Sequence, residues 1–226
     1  MTVNAAGNAG QPRLISRVSA AVYDRLTNGL ERQLFGPYRR KLLAACRGRV
    51  LDVGAGTGAN LPNYPRQGIS ELVLLDPSPG MLARAGRKAA AAGLPVLLQR
   101  GQAEQMPWPD NSFDTVVFTL SLCTITDPGR ALAEASRVLR PKGRLLVMEH
   151  VRAQAPGLAR WQDRFTPLWK TLNGGCHLNR PTRATIEAAG FAFTSVQEFR
   201  ETRIPLAFIQ PMLIGVGQAR QEGGEA

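Results

Sequence analysis

A chain of 226 residues, 44% of them hydrophobic, is long enough to bury one substantial core, and one domain (1–226) is the natural count at that size. Its 28 Lys and Arg against 17 Asp and Glu leave a formal charge of +11, which favours anionic partners without specifying a fold. Three cysteines, Cys46, Cys123 and Cys176, far apart and odd in number, give neither a disulfide framework nor a spaced metal site. With no apolar run of about 18 residues, no transmembrane segment is expected; a cytoplasmic location and no metal are.

Residues 1–12 are small and polar and read as a flexible tail. Apolar Leu14, Val18, Val22 and Leu26 recur at helical spacing, and a second helical pattern runs from about Leu30 to Cys46, so residues 13–48 are expected to form a helical cap. The second helix carries the densest basic stretch, Arg32, Arg39, Arg40, Lys41, Arg47 and Arg49, mixed with Leu34, Phe35, Leu42 and Leu43. A solvated basic face is the simpler reading, and peripheral contact with a membrane surface the sharper one.

From Arg49 short apolar runs alternate with helical patterns. Val50 to Val53, Leu72 to Leu75, Val96 to Gln99, Thr115 to Leu120 and Arg144 to Glu149 predict five parallel strands covered on both faces, a core of residues 49–150. Asp127-Pro128 places a capping carboxylate before a proline, and Pro141-Lys142-Gly143 is expected to end that helix. Residues 151–181, with Trp, Pro and Gly, are expected to be an irregular lid. In residues 182–217, a helix from about Thr182 to Ala189 stops at Gly190. Phe191 to Phe199 and Gln210 to Gly217 then lie too close in sequence for a crossover helix, so they pair antiparallel.

Val50-Leu51-Asp52-Val53-Gly54-Ala55-Gly56-Thr57-Gly58 puts three glycines directly after a buried strand, where the backbone turns and a ligand approaches the peptide groups. Asp76 closes the second strand, where a carboxylate accepts both hydroxyls of an adenosine ribose. Alone, Gly54-Ala55-Gly56-Thr57-Gly58-Ala59 also satisfies a dinucleotide template, so it fits NAD and S-adenosylmethionine alike. The bland alternatives are a tight turn at the glycines and a turn start at Asp76-Pro77.

Five motifs in order carry a resemblance: Leu51 through Gly58, Leu75-Asp76-Pro77-Ser78-Pro79-Gly80-Met81-Leu82, Gly101-Gln102-Ala103-Glu104, Asp110-Asn111-Ser112-Phe113-Asp114, and Arg137 through Arg144. With them the chain resembles class I S-adenosylmethionine-dependent methyltransferases over roughly Val22 to Gly217, in the type 11 and quinone-biosynthesis branch. Shorter matches at Tyr23-Asp24, Gly58-Ala59-Asn60, Thr119 to Cys123, Met148 to Val151 and Gly175 to Leu178 bring it nearest to small-molecule thiol methyltransferases. Animal members of that group carry an apolar N-terminal anchor, which is not expected here.

The resemblance implies an α/β, Rossmann-like, seven-stranded, mostly parallel sheet with its last strand antiparallel and helices on both faces. It implies S-adenosylmethionine as cofactor and S-adenosylhomocysteine as product. Asp52, Gly54, Ala55, Gly56 and Gly58 would hold the methionine end, Asp76 and Pro77 the ribose, and Met81 the adenine face. Gln102, Ala103 and Glu104 would surround the adenine edge, with Tyr23, Thr119 and Leu120 as further cofactor-binding positions. Many relatives carry Asp where this chain has Gln102, which keeps an acceptor carbonyl.

A sulfonium is already activated, so such an enzyme mainly holds its acceptor in line with the methyl group and excludes water. His150, after the fifth strand, is the first candidate for the base that removes the acceptor proton, and His177 the second; each also has a structural reading. Trp108, Trp161, Phe165, Trp169 and Phe208 favour a small lipophilic acceptor: a thiol first, then a quinone or phenol, then a phospholipid amine. Nucleic acid is not expected as partner, because Thr119-Leu120-Ser121-Leu122-Cys123 stands where base methyltransferases carry an Asn/Asp-Pro-Pro-aromatic motif. A noncatalytic cofactor-binding protein is the alternative of another class.

Overall fold

The computed structural model describes residues 33–220, so the expected tail, the helix through Leu14 to Leu26, Tyr23 and Arg32 lie outside the described residues. Seven strands form one sheet: β1 Gly48–Val53, β2 Ile69–Asp76, β3 Leu97–Arg100, β4 Phe113–Thr119, β5 Leu139–His150, β6 Phe191–Arg200 and β7 Pro211–Ala219. Their order is β3-β2-β1-β4-β5-β7-β6. The first five pair in parallel, and β7 runs antiparallel to both β5 and β6, as the sequence leads one to expect.

The apolar runs are continuous because both faces of the sheet are buried. On one face Leu51, Val53, Val73 and Leu75 pack with Ala131, Leu132, Ala135 and Ile186 of α3 (Pro128–Val138) and α5 (Thr182–Ala188). On the other, Val50, Leu72, Leu74 and Leu146 pack with Leu42, Leu43, Leu82 and Ala85 of α1 (Gly36–Leu43) and α2 (Pro79–Ala91). Two helices start as their sequences dictate, with proline first. Ser78 Oγ accepts from the Met81 N–H at 3.4 Å, and Asp127 Oδ1 from the Arg130 N–H at 2.9 Å.

The structure changes three expectations. Pro141 disfavours helical backbone at Arg140, so α3 ends at Val138 and β5 begins at once; Pro141-Lys142-Gly143 lies at a register shift, with Lys142 at φ +63°. Residues 151–181 are not irregular throughout: α4 spans Pro156–Leu172 and carries Pro167 inside it, and only the flanking residues 151–155 and 173–181 lack regular structure. The basic stretch is not one solvated face, because Arg39 is only 4% exposed while Arg40 and Lys41 face solvent. A third apolar cluster, built from Leu34, Cys123, Cys176, Leu178, Ile204 and Ile209, sits beside the carboxyl end of β4.

Candidate active site

The loops that follow the parallel strands meet at one edge of the sheet, where ligands bind in open α/β folds. The N–H groups of Gly54 and Ala55 both donate to the Leu75 carbonyl, at 2.8 and 3.1 Å, which ties the glycine loop to β2. Gly54 has φ +70°, and a Cβ there would stand 2.6 Å from Ser121 Cβ, so the loop after β1 is pressed against the loop after β4. Gly56 has φ +55°, and its missing Cβ opens onto space in which the nearest atom is the Gly54 carbonyl oxygen at 4.0 Å. The crown of the loop therefore offers bare peptide groups to a ligand.

Two carboxylates frame that crown. Asp76 Oδ2 accepts from the Gly56 N–H at 2.9 Å and Oδ1 from the Ser78 N–H at 2.8 Å. Each oxygen keeps a lone pair for a further donor. Burial pushes the Asp76 pKa up while those N–H groups hold it down. Asp52 is 1% exposed; its Oδ2 accepts from Asn60 Nδ2 and the Tyr64 hydroxyl, both at 2.9 Å. Its Oδ1 is buried with no hydrogen-bond partner among the described residues. Burial raises this pKa too, opposed by Asn60, Tyr64 and the charge of Arg39.

Arg39 reaches this centre from α1: its Nη1 donates to Asn60 Oδ1 at 2.6 Å and to Thr119 Oγ1 at 2.7 Å, and Asn60 Nδ2 lies 2.9 Å from the same hydroxyl. One polar network thus joins the N-terminal helix, the exit of the glycine loop and the tip of β4. Between Gly58 and β2 the chain makes only the 3-10 turn Leu61–Asn63. A dinucleotide pyrophosphate is held at the N-terminus of a full helix opened by its glycine turn. This loop opens none, and suits a ligand whose charged end is an amino acid.

The remaining cofactor candidates divide. Met81 is half-buried in the first turn of α2, Ala103 is buried, and Gln102 and Pro77 are exposed. Leu120 takes φ +54°, rare for a bulky residue, and its N–H donates to the Met148 carbonyl at 2.7 Å. Glu104 is turned to α3: its carboxylate accepts from the Asp127 N–H at 3.2 Å and its carbonyl from Arg130 Nε at 3.0 Å.

Glu149 organises the other side of the edge. Fully buried, it accepts the N–H groups of Ser121 and Leu122 on Oε1, both at 2.8 Å, and of Cys123 on Oε2 at 3.2 Å. Burial pushes its pKa up to about 7 against those three bonds. Arg180 secures the same loop from the opposite side, donating to the carbonyls of Leu122 and of Ile125, the latter at 2.7 Å. His150 is 9% exposed and its ring meets Phe35 edge-on at 6.2 Å. Burial pushes its pKa down to about 4, and its Nδ1 has no partner among the described residues. His177 Nδ1 lies 3.3 Å from both the Cys123 carbonyl and Arg180 Nη2; the first needs a protonated nitrogen and the second a bare one, so one contact at a time is a hydrogen bond.

Comparison with known proteins agrees with this geometry. A family profile described as a methyltransferase domain matches residues 51–147. The thiol S-methyltransferase TMT1B of Rattus norvegicus is 33% identical over 186 residues, 80% of this chain and 75% of that protein. The chain belongs to the S-adenosylmethionine-dependent methyltransferases. The ubiquinone/menaquinone biosynthesis C-methyltransferase UbiE of Edwardsiella ictaluri is 33% identical, over 73% of this methyltransferase and 69% of that chain. The fold is shared with the S-adenosylmethionine-dependent methyltransferase of Mesorhizobium loti, at TM-score 0.63 and 23% identity, covering 81% of this chain and 97% of the other.

The methyltransferase cofactor fits this edge, since Asp52 Oδ1 stands ready for an ammonium and the space over Gly56 is clear. Arg39, Asn60, Tyr64, Glu149 and Arg180 escaped the sequence reading as site residues. Asn60 and Glu149 stood within motifs already singled out, but their partners are set by tertiary structure.

Proposed function

We propose that this methyltransferase transfers the methyl group of S-adenosylmethionine to a small lipophilic thiol. The cofactor supplies a methyl group already activated on a sulfonium. Asp52 Oδ1 and the peptide groups of Gly54, Ala55, Gly56 and Gly58 take its amino acid end, Asp76 the ribose, and Met81, Gln102 and Ala103 the adenine. Thr119 and Leu120 close the pocket from β4, and the sequence adds Tyr23. Glu104, engaged at α3, and exposed Pro77 contribute shape at most.

The observation that carries the choice of acceptor is the absence, among the described residues of this edge, of a strong base. His150 is neutral at pH 7 and, near pKa 4, a weak base; Glu149 is locked by three N–H groups. A thiol of pKa about 8.5 is a few per cent thiolate at pH 7, and that thiolate is intrinsically very nucleophilic, so it needs less help from a base than a phenol near 10. The relatives named for thiol S-methylation support this order, and the quinone C-methyltransferase supports the runner-up. Labelled methyl transfer to a panel of alkyl thiols tests the reading, with turnover expected and lost in Asp76→Ala together with S-adenosylhomocysteine binding. Turnover of quinols or phenols with none on thiols overturns the acceptor and keeps the cofactor site.

A further inference from the structure

The exposed apolar surface is concentrated on one element. Of the six large hydrophobic side chains that face solvent among the described residues, Trp161, Leu168 and Leu172 lie on α4, 54%, 59% and 71% exposed, and Leu206 lies beside it at 47%. Their spacing puts Trp161, Phe165, Leu168 and Leu172 on one stripe of the helix. Gln162 and Thr166, about a quarter to a third of a turn round the helix from the stripe, are buried, and Gln162 fastens α4 to the segment after β5 by accepting from the Ala153 N–H at 2.7 Å and donating to the Val151 carbonyl at 3.0 Å.

Charge borders this stripe. Arg160 and Arg164 are exposed, have no ion-pair partner among the described residues, and line with Gly157 and Trp161 a shallow depression at its edge. The one acidic residue of the helix, Asp163, is taken by Arg152 at 2.6 Å and by Asn179 at 2.9 Å. An apolar stripe with tryptophan, flanked by unpaired arginines, matches a helix lying in the headgroup layer of a bilayer.

The stripe is also joined to the active edge. Trp161 stacks on Phe165 at 5.2 Å and Phe165 on Phe208 at 5.1 Å, while Trp169 meets Phe208 edge-on at 6.1 Å. Phe208 and Trp169 pack on the cluster that holds Cys123, in the loop clamped by Glu149. Rings therefore run from the solvent face of α4 to the apolar cluster beside the loop clamped by Glu149.

We infer that the outer face of α4 is a docking surface for an anionic phospholipid bilayer, seated by Trp161, Leu168 and Leu172 in the acyl boundary and by Arg160 and Arg164 on the phosphates. The inference does not depend on the acceptor, because binding is read without turnover. Sedimentation of the full chain with vesicles of phosphatidylcholine alone, and of equal parts phosphatidylcholine and phosphatidylserine, tests it. Binding is expected to the anionic vesicles and to weaken with salt. Arg160→Gln and Arg164→Gln each lower the partition coefficient about fivefold, and Trp161→Ser with Leu172→Gln abolishes binding. These side chains are exposed, so every variant is expected to bind S-adenosylhomocysteine as the parent does. Arg40→Gln with Lys41→Gln on α1 leaves vesicle binding unchanged. Failure to sediment with either vesicle overturns the inference, as does binding lost through the α1 pair and not through α4. Concentration-dependent self-association that Leu172→Gln removes assigns the face to a second copy instead.

Discussion

Neighbouring residues Glu149 and His150 carry opposite titrations into the same core. Burial raises Glu149 from 4.5 to about 7 and lowers His150 from 6.5 to about 4, so both are neutral at pH 5.5. The Glu149 contribution is complete below its unfolded pKa and is lost as pH rises toward 7, because the folded state holds the extra proton. The His150 contribution is complete above 6.5 and is lost as pH falls toward 4, because the unfolded state holds the extra proton. Between pH 5 and 6.5 the two slopes oppose each other. Relative to the parent, Glu149→Gln is expected to make unfolding free energy rise with pH across that window and His150→Gln to make it fall, by up to about 1.4 kcal/mol per pH unit. Urea denaturation at several pH values reads this, and identical slopes in both variants would sink it. Such pairing was not legible in the sequence, where Glu149 was one letter inside a motif. Arg39 was hidden likewise: its partners lie 21 and 80 residues away, and a local pattern of basic residues cannot distinguish a solvated cation from one folded under a loop.

The strands were the most legible elements, since burial on both faces leaves apolar runs that punctuation by glycine and proline delimits. α4 was missed for the complementary reason. Its spacing at Trp161, Phe165, Leu168 and Leu172 is helical, but Pro167 reads as a breaker, although it forfeits only the hydrogen bond of one exposed turn. Contact between loops is a matter for elements rather than letters. Gly54 shows it: the sequence identifies a turn, and the structure adds that Ser121 fills the place of a Cβ. Gly54→Ala forces a positive φ on a chiral residue and drives the two loops apart. It is expected to destabilise the fold by about 1–2 kcal/mol or more and to weaken S-adenosylhomocysteine binding at the same time. Calorimetry showing the parent affinity would mean that the loop after β1 binds independently of the loop after β4.

At the scale of the whole molecule, the parallel core and the antiparallel final pair followed from the alternation of elements and one short connection, whereas the sheet order, with β7 between β5 and β6, is seen only in the structure. The glycine motif alone left the cofactor choice open, the five-motif resemblance pointed to S-adenosylmethionine, and the crossover without a helix agrees with it. That difference has a thermodynamic expression. A ligand that binds only the folded chain stabilises it by about 2.7 kcal/mol at a concentration one hundredfold above its dissociation constant. S-adenosylhomocysteine is expected to raise the melting temperature in this way and NAD to leave it unchanged; a comparable shift with NAD would contradict the reading of the loop.

The place of β7 bears on how such a chain is made. Among the described residues it is the last strand to be synthesised, yet it lies inside the sheet, and β6 has no neighbour there except β7. Until residues 211–219 clear the exit tunnel, the backbone of β5 from Leu145 to His150 is an open apolar edge and β6 has nowhere to dock. A translational pause or an early stop upstream of Pro211 therefore leaves a nascent chain with a long unpaired strand, the state in which chaperone capture and edge-to-edge aggregation compete.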